Sequence, residues 1–256
     1  MFGIKKSTQQ PANPVGLRKD PAGRPAVDLN KVAADGHTQL AETADTVGVS
    51  LRKRNLAGMR GRVIVLLDHS GSMYHDYASG AVQTLLQRTL AFGLQIDTDG
   101  TVEVIPFDSR VWRTERVDLS NYRAAAQQVW RRNQMGSTNL AGALDRVRDL
   151  AAKTTEPIVC IVLTDGDPDN RIAATAAVCD LARYPVFIKF LALRSVPYLA
   201  ELDNLERTRP GARLLDNVNA QTIHHPDRVS NEAFAEAMVE EWDTWLDAAN
   251  RAGVVR

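Results

Sequence analysis

Five oxygen-bearing side chains in three separate segments of the sequence could together hold a hard metal ion. They are Asp68, Ser70, Ser72, Thr138 and Asp165. Carboxylate and hydroxyl oxygens suit Mg²⁺, and also Mn²⁺ or Ca²⁺, better than they suit zinc. Two carboxylates neutralise a divalent ion at most, and the hydroxyls add no charge. The pattern therefore predicts a Mg²⁺ site that takes a further anionic ligand from outside the chain.

The segment around Asp68 lacks residues that two kinds of catalytic site require. A phosphoaspartate hydrolase has a second aspartate two residues after its nucleophile, where this sequence has Ser70. A serine nucleophile needs a neighbouring base, and on an extended segment the side chain of His69 points away from those of its neighbours. We therefore expect no enzyme activity. A metal-dependent phosphoesterase and a metal-sensing or metal-buffering protein are the alternatives.

Other polar clusters have simpler interpretations than a second site. An acidic residue at position 76, beside His75, could bind a second cation, but it lacks partners in the sequence. We expect Asp167 and Asp169 to be turn and helix-cap residues, and His224 and His225 to be a solvated loop pair. We expect Trp242 and Trp245 to be packing residues.

Two uninterrupted apolar runs precede the acidic residues and predict the strands that position them. Residues 63–67 end at Asp68, and residues 158–163 are followed by Thr164 and Asp165. Such runs are typical of parallel strands buried on both faces. Since ligands bind beyond the carboxyl ends of such strands, the predicted donors should meet at one edge of the sheet.

Alternating helical and strand patterns continue along the chain and favour a three-layer α/β fold, with helices on both faces of a mostly parallel sheet. Apolar residues at positions 82, 85, 86, 90 and 94 have helical spacing. Further strands are expected at 102–107, 111–117, 186–193 and 212–218. Further helices are expected at 121–132, after residue 139, at 172–181, at 197–204 and, as one long closing helix, at 234–249.

Composition excludes some functions and favours a cytoplasmic protein. Lys+Arg and Asp+Glu are equal at 31 each, so the basic surplus typical of nucleic-acid binding is missing. No apolar run is long enough to predict a transmembrane segment. The first 19 residues lack the apolar region of a secretory signal. We expect Cys160 and Cys179 to be free thiols.

Three segments differ in character. Residues 1–26 contain four prolines and predict a flexible arm. Residues 27–60 predict an N-terminal appendage of uncertain structure, with weak helical spacing interrupted by Gly36 and Gly48. Residues 61–256 predict the main domain.

The order of these motifs resembles the von Willebrand factor A (vWA) family. Asp-x-Ser-x-Ser follows an apolar strand, a separate Thr comes next, and a second strand ends in Thr-Asp-Gly. All five positions of that family's metal-ion-dependent adhesion site (MIDAS) are filled. The resemblance implies a Rossmann-like fold with one antiparallel edge strand. It also implies that the metal binds a partner protein through an Asp or Glu carboxylate of that partner.

A narrower resemblance covers residues 61–255 and points to the TerF-like branch. Its motifs include Asp-x-Ser-Gly-Ser-Met, Ser-Gly-Ala-Val-Gln, Gly-Ser-Thr-Asn, Leu-Leu-Asp-Asn-Val and the ending Trp-Leu-Asp-Ala-Ala-Asn-Arg-Ala-Gly-Val. That branch is associated with tellurium resistance and the stress response. The resemblance implies a cytoplasmic module whose partners are other Ter-type stress proteins.

Overall fold

The computed structural model describes residues 10–256. Six strands in this part of the chain form one sheet in the order β3-β2-β1-β4-β5-β6. Every neighbouring pair is parallel except β2 and β3, which are antiparallel. The strands span Arg62–Asp68 (β1), Val102–Phe107 (β2), Glu115–Val117 (β3), Ile158–Thr164 (β4), Val186–Ala192 (β5) and Val218–Thr222 (β6).

Helices cover both faces of this sheet. They span Leu29–Ala34 (α1), Thr38–Lys53 (α2), Tyr74–Ala78 (α3), Ala81–Ile96 (α4), Ala125–Val129 (α5), Leu140–Ala151 (α6), Arg171–Leu181 (α7), Pro197–Asp203 (α8), Leu205–Thr208 (α9), Asn231–Val239 (α10) and Trp242–Arg251 (α11). Helices α2, α4, α10 and α11 share a core with one face, and α6, α7 and α8 with the other. The predicted three-layer fold with an antiparallel edge strand is confirmed.

The residues of β1 alternate between the two cores. Val65 and Leu67 contact the core that includes α4, whereas Ile64 and Leu66 contact the core that includes α6. All four are fully buried. An uninterrupted apolar run is therefore what this position in the sheet requires.

The N-terminal segment packs on the main domain. Helix α2 lies against α4 and α10, and its apolar face is buried. Residues 1–9 of the predicted flexible arm lie outside the described residues. Residues 10–26 form no helix or strand but are held in place: Val15 is buried and pairs with Val255, and Asn13 Nδ2 donates to the carbonyl of Ala151 at 2.9 Å.

Four elements differ clearly from their predicted bounds. The helix expected at 121–132 is a 3-10 turn at Tyr122–Ala124 followed by the five-residue α5. The third strand was predicted at 111–117 but spans only Glu115–Val117. Before it the chain turns, because the Asp108 carboxylate accepts from the Arg110 amide at 2.9 Å and from Trp112 Nε1 at 3.0 Å. The last strand begins at Val218, where the prediction ended it. The closing helix is broken at Glu240 and Glu241, and Glu241 has a φ of 62°.

Other features agree with expectation. Both cysteines are free, and Cys160 is buried in β4. Among residues 10–256, no helix is both long and apolar enough to cross a membrane.

Candidate metal centre

The predicted donors lie at the topological switch point of the sheet. Strands β1 and β4 are adjacent, but the helices that follow them pack on opposite faces: α4 on one and α7 on the other. The connections after the two strands therefore diverge and leave a crevice between them. Asp68 is the last residue of β1, and Asp165 comes directly after β4.

Hydrogen bonds lock the carboxylate of Asp68 in place. Its Oδ1 accepts from the Ser70 amide at 2.8 Å, and its Oδ2 accepts from the Thr164 hydroxyl at 2.6 Å. The side chain is fully buried, and this burial raises the pKa of Asp68 to about 6, against the lowering effect of the Thr164 and Ser70 hydrogen bonds. The site therefore holds a charge that burial disfavours.

A chain of close oxygen contacts leads from the first loop to Asp165. Ser70 Oγ lies 3.0 Å from Ser72 Oγ, and Ser72 Oγ donates to Asp165 Oδ1 at 2.7 Å. The short turn at Gly71–Met73 makes this possible because it brings Ser72 back toward the end of β4. The structure thus brings together four of the five predicted residues.

The loop that carries Thr138 lies alongside the first loop. Gly136 pairs with Ser70 and accepts from the Gly71 amide at 2.9 Å. The Thr138 amide donates to Asp169 Oδ1 at 2.9 Å, which ties this loop to the segment after β4. Thr138 is buried, yet its hydroxyl makes no hydrogen bond with any described residue. The hydroxyl is therefore available to a ligand.

Comparison with known families places the domain. A family model described as "vWA-TerF-like: vWA found in TerF C terminus" matches residues 60–255. The chain belongs to the vWA-TerF-like family. Domains of the vWA type are generally protein-interaction modules that often depend on a metal.

Individual proteins similar to this vWA-TerF-like chain add little about its role. The uncharacterized protein YcbR of Bacillus subtilis (strain 168) is 27% identical over 222 residues, which cover 82% of this chain and 88% of YcbR. Manganese-loaded TRAP protein of Plasmodium vivax aligns at 17% identity with a TM-score of 0.48, over 71% of this chain and 72% of that one. VWA2, an ArnB paralog of Sulfolobus acidocaldarius, aligns at 17% identity with a TM-score of 0.42, over 66% and 42%.

Arg194 is a residue of the vWA-TerF-like site that sequence reasoning missed. Its Nη1 contacts Asp165 Oδ2, and its Nη2 donates to Asp76 Oδ2 at 3.1 Å. Burial raises the pKa of Asp76, whereas the charge of Arg194 lowers it. Arg194 lies two residues after the end of β5, at the same edge of the sheet as Asp68. That position was the available signal, because side chains just beyond parallel strands converge there.

His69 is fully engaged and cannot serve Ser70 or Ser72 as a base. Its Nδ1 lies 3.3 Å from Asp108 Oδ2, and its Nε2 accepts from the Arg131 amide at 2.9 Å. An Nε2 that accepts leaves the proton on Nδ1, which donates to Asp108. Burial lowers the pKa of His69 and favours this neutral form. The predicted orientation of His69, away from the serines, is confirmed.

The remaining polar clusters are placed as follows. Asp167 forms an ion pair with Arg171 at 2.6 Å. Asp169 accepts from the Ser137 hydroxyl at 2.6 Å, besides its bond from the Thr138 amide. His224 and His225 line a cleft of about 610 Å³ beside Asp76 and Arg194, which also contains His75. Trp242 and Trp245 are buried, as predicted for packing residues.

The donor set fits a hard cation. Within the described part of the chain, no three residues among His, Cys, Asp and Glu converge as metal ligands. A metal at this edge would therefore rely on hydroxyls in addition to the two carboxylates, and hydroxyls are hard ligands. The hydroxyls of Ser70 and Ser72, in the loop after β1, and of Thr138 lie at that edge, near the buried carboxylate of Asp68.

Proposed function

We propose that this chain is a metal-dependent protein-interaction module of a bacterial stress-response system. Asp68, Ser70, Ser72, Thr138 and Asp165 would hold Mg²⁺, with Mn²⁺ or Ca²⁺ as substitutes. When bound, the ion supplies a coordination position for a partner's Asp or Glu carboxylate. The observation that carries the proposal is the contact series from Asp68 through the two serines to Asp165.

The charge of the site favours an external carboxylate. Three of the five donors are neutral hydroxyls, and the two carboxylates already share their oxygens with hydrogen-bond donors. Other acidic residues near the site are engaged elsewhere: Asp76 is paired with Arg194, and Asp167 with Arg171. These ion pairs leave the last ligand position to a partner rather than to the chain itself.

The surroundings of the site suit a protein partner. The cleft beside Asp76 and Arg194 has a volume of about 610 Å³, which accommodates side chains that flank a metal-binding carboxylate. The side chain of Arg194 is about half exposed (47%) and offers that partner a cation next to the metal position. Because both nitrogens of His69 are bonded, the site has no base from that residue, which argues against a hydrolase.

The cellular setting follows from the family and is part of the same proposal. The matching model describes the vWA domain at the C terminus of TerF. We infer a cytoplasmic role in tellurium resistance or a related stress response, with other Ter-type proteins as partners.

A pull-down tests the proposal. The wild-type chain should retain a partner in Mg²⁺ and release it in EDTA, and free glutarate should compete because it presents the same carboxylate. Thr138→Val should lose the partner, since it removes a hydroxyl ligand while keeping the side-chain shape. Thr46→Val is the matched control: it makes the same substitution in α2, away from the metal centre, and should retain the partner. Equal recovery in Mg²⁺ and EDTA would show that no metal bridges the two proteins.

A further inference from the structure

A group of arginines and aromatic residues lies beside the proposed metal centre, at the same edge of the sheet. We call it the arginine patch, and it consists of Arg110, Arg131 and Arg132 with Tyr74, Trp112 and Trp130. Tyr74 comes two residues after Ser72, and two residues of chain span at most about 7 Å. Residues 130–132 precede Gly136, which pairs with Ser70. A ligand at the metal centre is therefore within reach of the patch.

The guanidinium groups of the patch are held on aromatic rings. Those of Arg110 and Arg131 lie 4.3 Å and 4.7 Å from the centre of the Trp112 ring. The guanidinium of Arg132 lies 5.2 Å from the centre of the Tyr74 ring, and its Nε donates to the Tyr74 hydroxyl at 2.8 Å. Stacking of this kind fixes the plane of a guanidinium and leaves N–H groups at its edge for an acceptor.

The residues that support the patch are bonded to the loop that begins at Asp68. The Tyr77 hydroxyl donates to the carbonyl of Asp68 at 3.1 Å, and the Tyr77 ring stacks on Trp130 with the ring centres 5.6 Å apart. The Arg131 amide donates to His69 Nε2 at 2.9 Å. These contacts fix the position of the patch relative to the metal centre.

The positive charge of the patch is only partly balanced. Arg110 pairs with Asp108 at 3.8 Å, and this buried carboxylate also accepts from Trp112 Nε1. Arg131 and Arg132 form no ion pair with any carboxylate of residues 10–256. Arg132 is exposed. The patch therefore offers solvent a surplus of positive charge that an anionic ligand would neutralise.

We propose that the arginine patch binds an acidic segment of the partner protein, in which further Asp or Glu residues lie within about four residues of the metal-binding carboxylate. This rests on the proposed function, which places one carboxylate of the partner at the metal. An extended segment advances about 3.3 Å per residue, so side chains two and four residues from that carboxylate lie on its side of the segment, about 7 and 13 Å away. Guanidinium groups pair with such carboxylates through two parallel hydrogen bonds.

The packing of the patch favours carboxylates over the bases of a nucleic acid. Single-stranded nucleic acids bind largely by stacking their bases on free aromatic faces. The rings of Trp112 and Tyr74 already carry guanidinium groups, and Tyr77 stacks on Trp130. The chain also has no basic surplus, since Lys+Arg and Asp+Glu are equal at 31 each. An acidic peptide is therefore the ligand that fits this surface.

Fluorescence anisotropy with fluorescein-labelled hexaglutamate tests the proposal on the full chain in Mg²⁺. The comparison peptide has the same length but contains one Glu and five Gln residues. We expect the wild type to bind hexaglutamate about tenfold or more tighter than the comparison peptide, because additional carboxylates pair with the patch. The double variant Arg131→Gln with Arg132→Gln should lose this preference and bind both peptides equally.

Two further double variants separate the patch from charge in general. Arg52→Gln with Arg251→Gln is the matched control, since it removes two exposed charges from α2 and α11 and should keep the preference. Arg131→Lys with Arg132→Lys keeps both charges but loses the planar guanidinium, and should retain only part of the preference.

Four results would overturn the proposal. They are absence of saturable hexaglutamate binding, equal affinity of the wild type for the two peptides, an unchanged preference in the Arg131→Gln, Arg132→Gln variant, and loss of the preference in the Arg52→Gln, Arg251→Gln control. Tighter binding of labelled hexauridylate than of hexaglutamate would likewise overturn it and assign the patch to single-stranded nucleic acid.

Failure of this proposal is distinguishable from failure of the proposed function. Binding that needs Mg²⁺ but shows no preference for hexaglutamate would refute the patch and leave the metal bridge intact. A preference that depends on Arg131 and Arg132 but is the same in Mg²⁺ and in EDTA would support the patch and refute the metal bridge.

Discussion

Replacing Asp68 with Asn should stabilise the metal-free protein while it impairs metal binding. The substitution keeps the size of the side chain, and the amide oxygen can still accept from the Ser70 amide, as Asp68 Oδ1 does at 2.8 Å. The amide nitrogen then faces the Thr164 hydroxyl, which can rotate to accept instead of donating. The substitution removes the negative charge of Asp68, which in the wild type is buried without a counter-ion in direct contact.

The pKa of Asp68 sets the size of the stabilisation expected of Asp68→Asn. Burial raises that pKa from 3.8 to about 6, so the folded protein binds a proton more readily than the unfolded chain between these values. The free energy of unfolding therefore falls as pH rises through this window, and above it the cost reaches roughly 3 kcal/mol. Asp68→Asn should raise the free energy of unfolding by up to roughly this amount near neutral pH. In this variant the free energy of unfolding should also fall less as the pH rises. Its Mg²⁺ affinity should drop about tenfold or more, because a charged ligand is lost.

Urea denaturation in EDTA and calorimetry with Mg²⁺ and Mn²⁺ measure the two effects. Asp97→Asn is the matched control, since Asp97 is also buried but lies at the opposite edge of the sheet, where it accepts from the Val63 amide at 3.1 Å. Burial raises the pKa of Asp97 as well. This control should keep the wild-type metal affinity. A less stable Asp68→Asn protein in EDTA, or one with unchanged Mg²⁺ affinity, would refute the reasoning.

Three further predictions follow from the structure. Burial lowers the pKa of Lys189 to about 7, so between about pH 7 and 10.5 the unfolded chain binds more protons than the folded protein. The free energy of unfolding should therefore rise with pH in this range, and urea denaturation of Lys189→Met should show no such rise. Thr138→Val should weaken Mg²⁺ binding in calorimetry and leave the melting temperature unchanged, because its hydroxyl bonds no described residue; a large loss of melting temperature would show a structural role. Phosphate and acyl esters should not be turned over in Mg²⁺; turnover that disappears in Asp68→Ala would establish an enzyme instead.

Much of the candidate site could be predicted because its residues follow strands that are recognisable by composition. An apolar run buried on both faces has few alternatives to a central parallel strand, and its carboxyl end is the place where polar residues meet. Asp68 and Asp165 were located in this way. Arg194 was not singled out, and Asp169 was expected only as a turn or helix-cap residue, because the importance of both depends on contacts between loops that are distant along the chain.

The closing helix illustrates a structure that local pattern alone did not predict. Helical spacing continues through residues 234–249, yet the chain breaks at Glu240 and Glu241. The carbonyl of Glu240 accepts from the buried ammonium of Lys189 at 3.0 Å, and the Glu240 side chain contacts Gln221. A buried lysine must find acceptors, and this requirement outweighs the helical propensity of the segment.

The sequence by itself determined the layers of this domain, the parallel strands and the edge at which the oxygen donors gather. Those features follow from periodicity and from apolar runs, which act over a few neighbouring residues. Only the tertiary structure decided which residues hold those donors and where the last helix breaks. These depend on pairing buried charges and polar groups with partners far away in sequence, and such pairing is settled only when the layers pack.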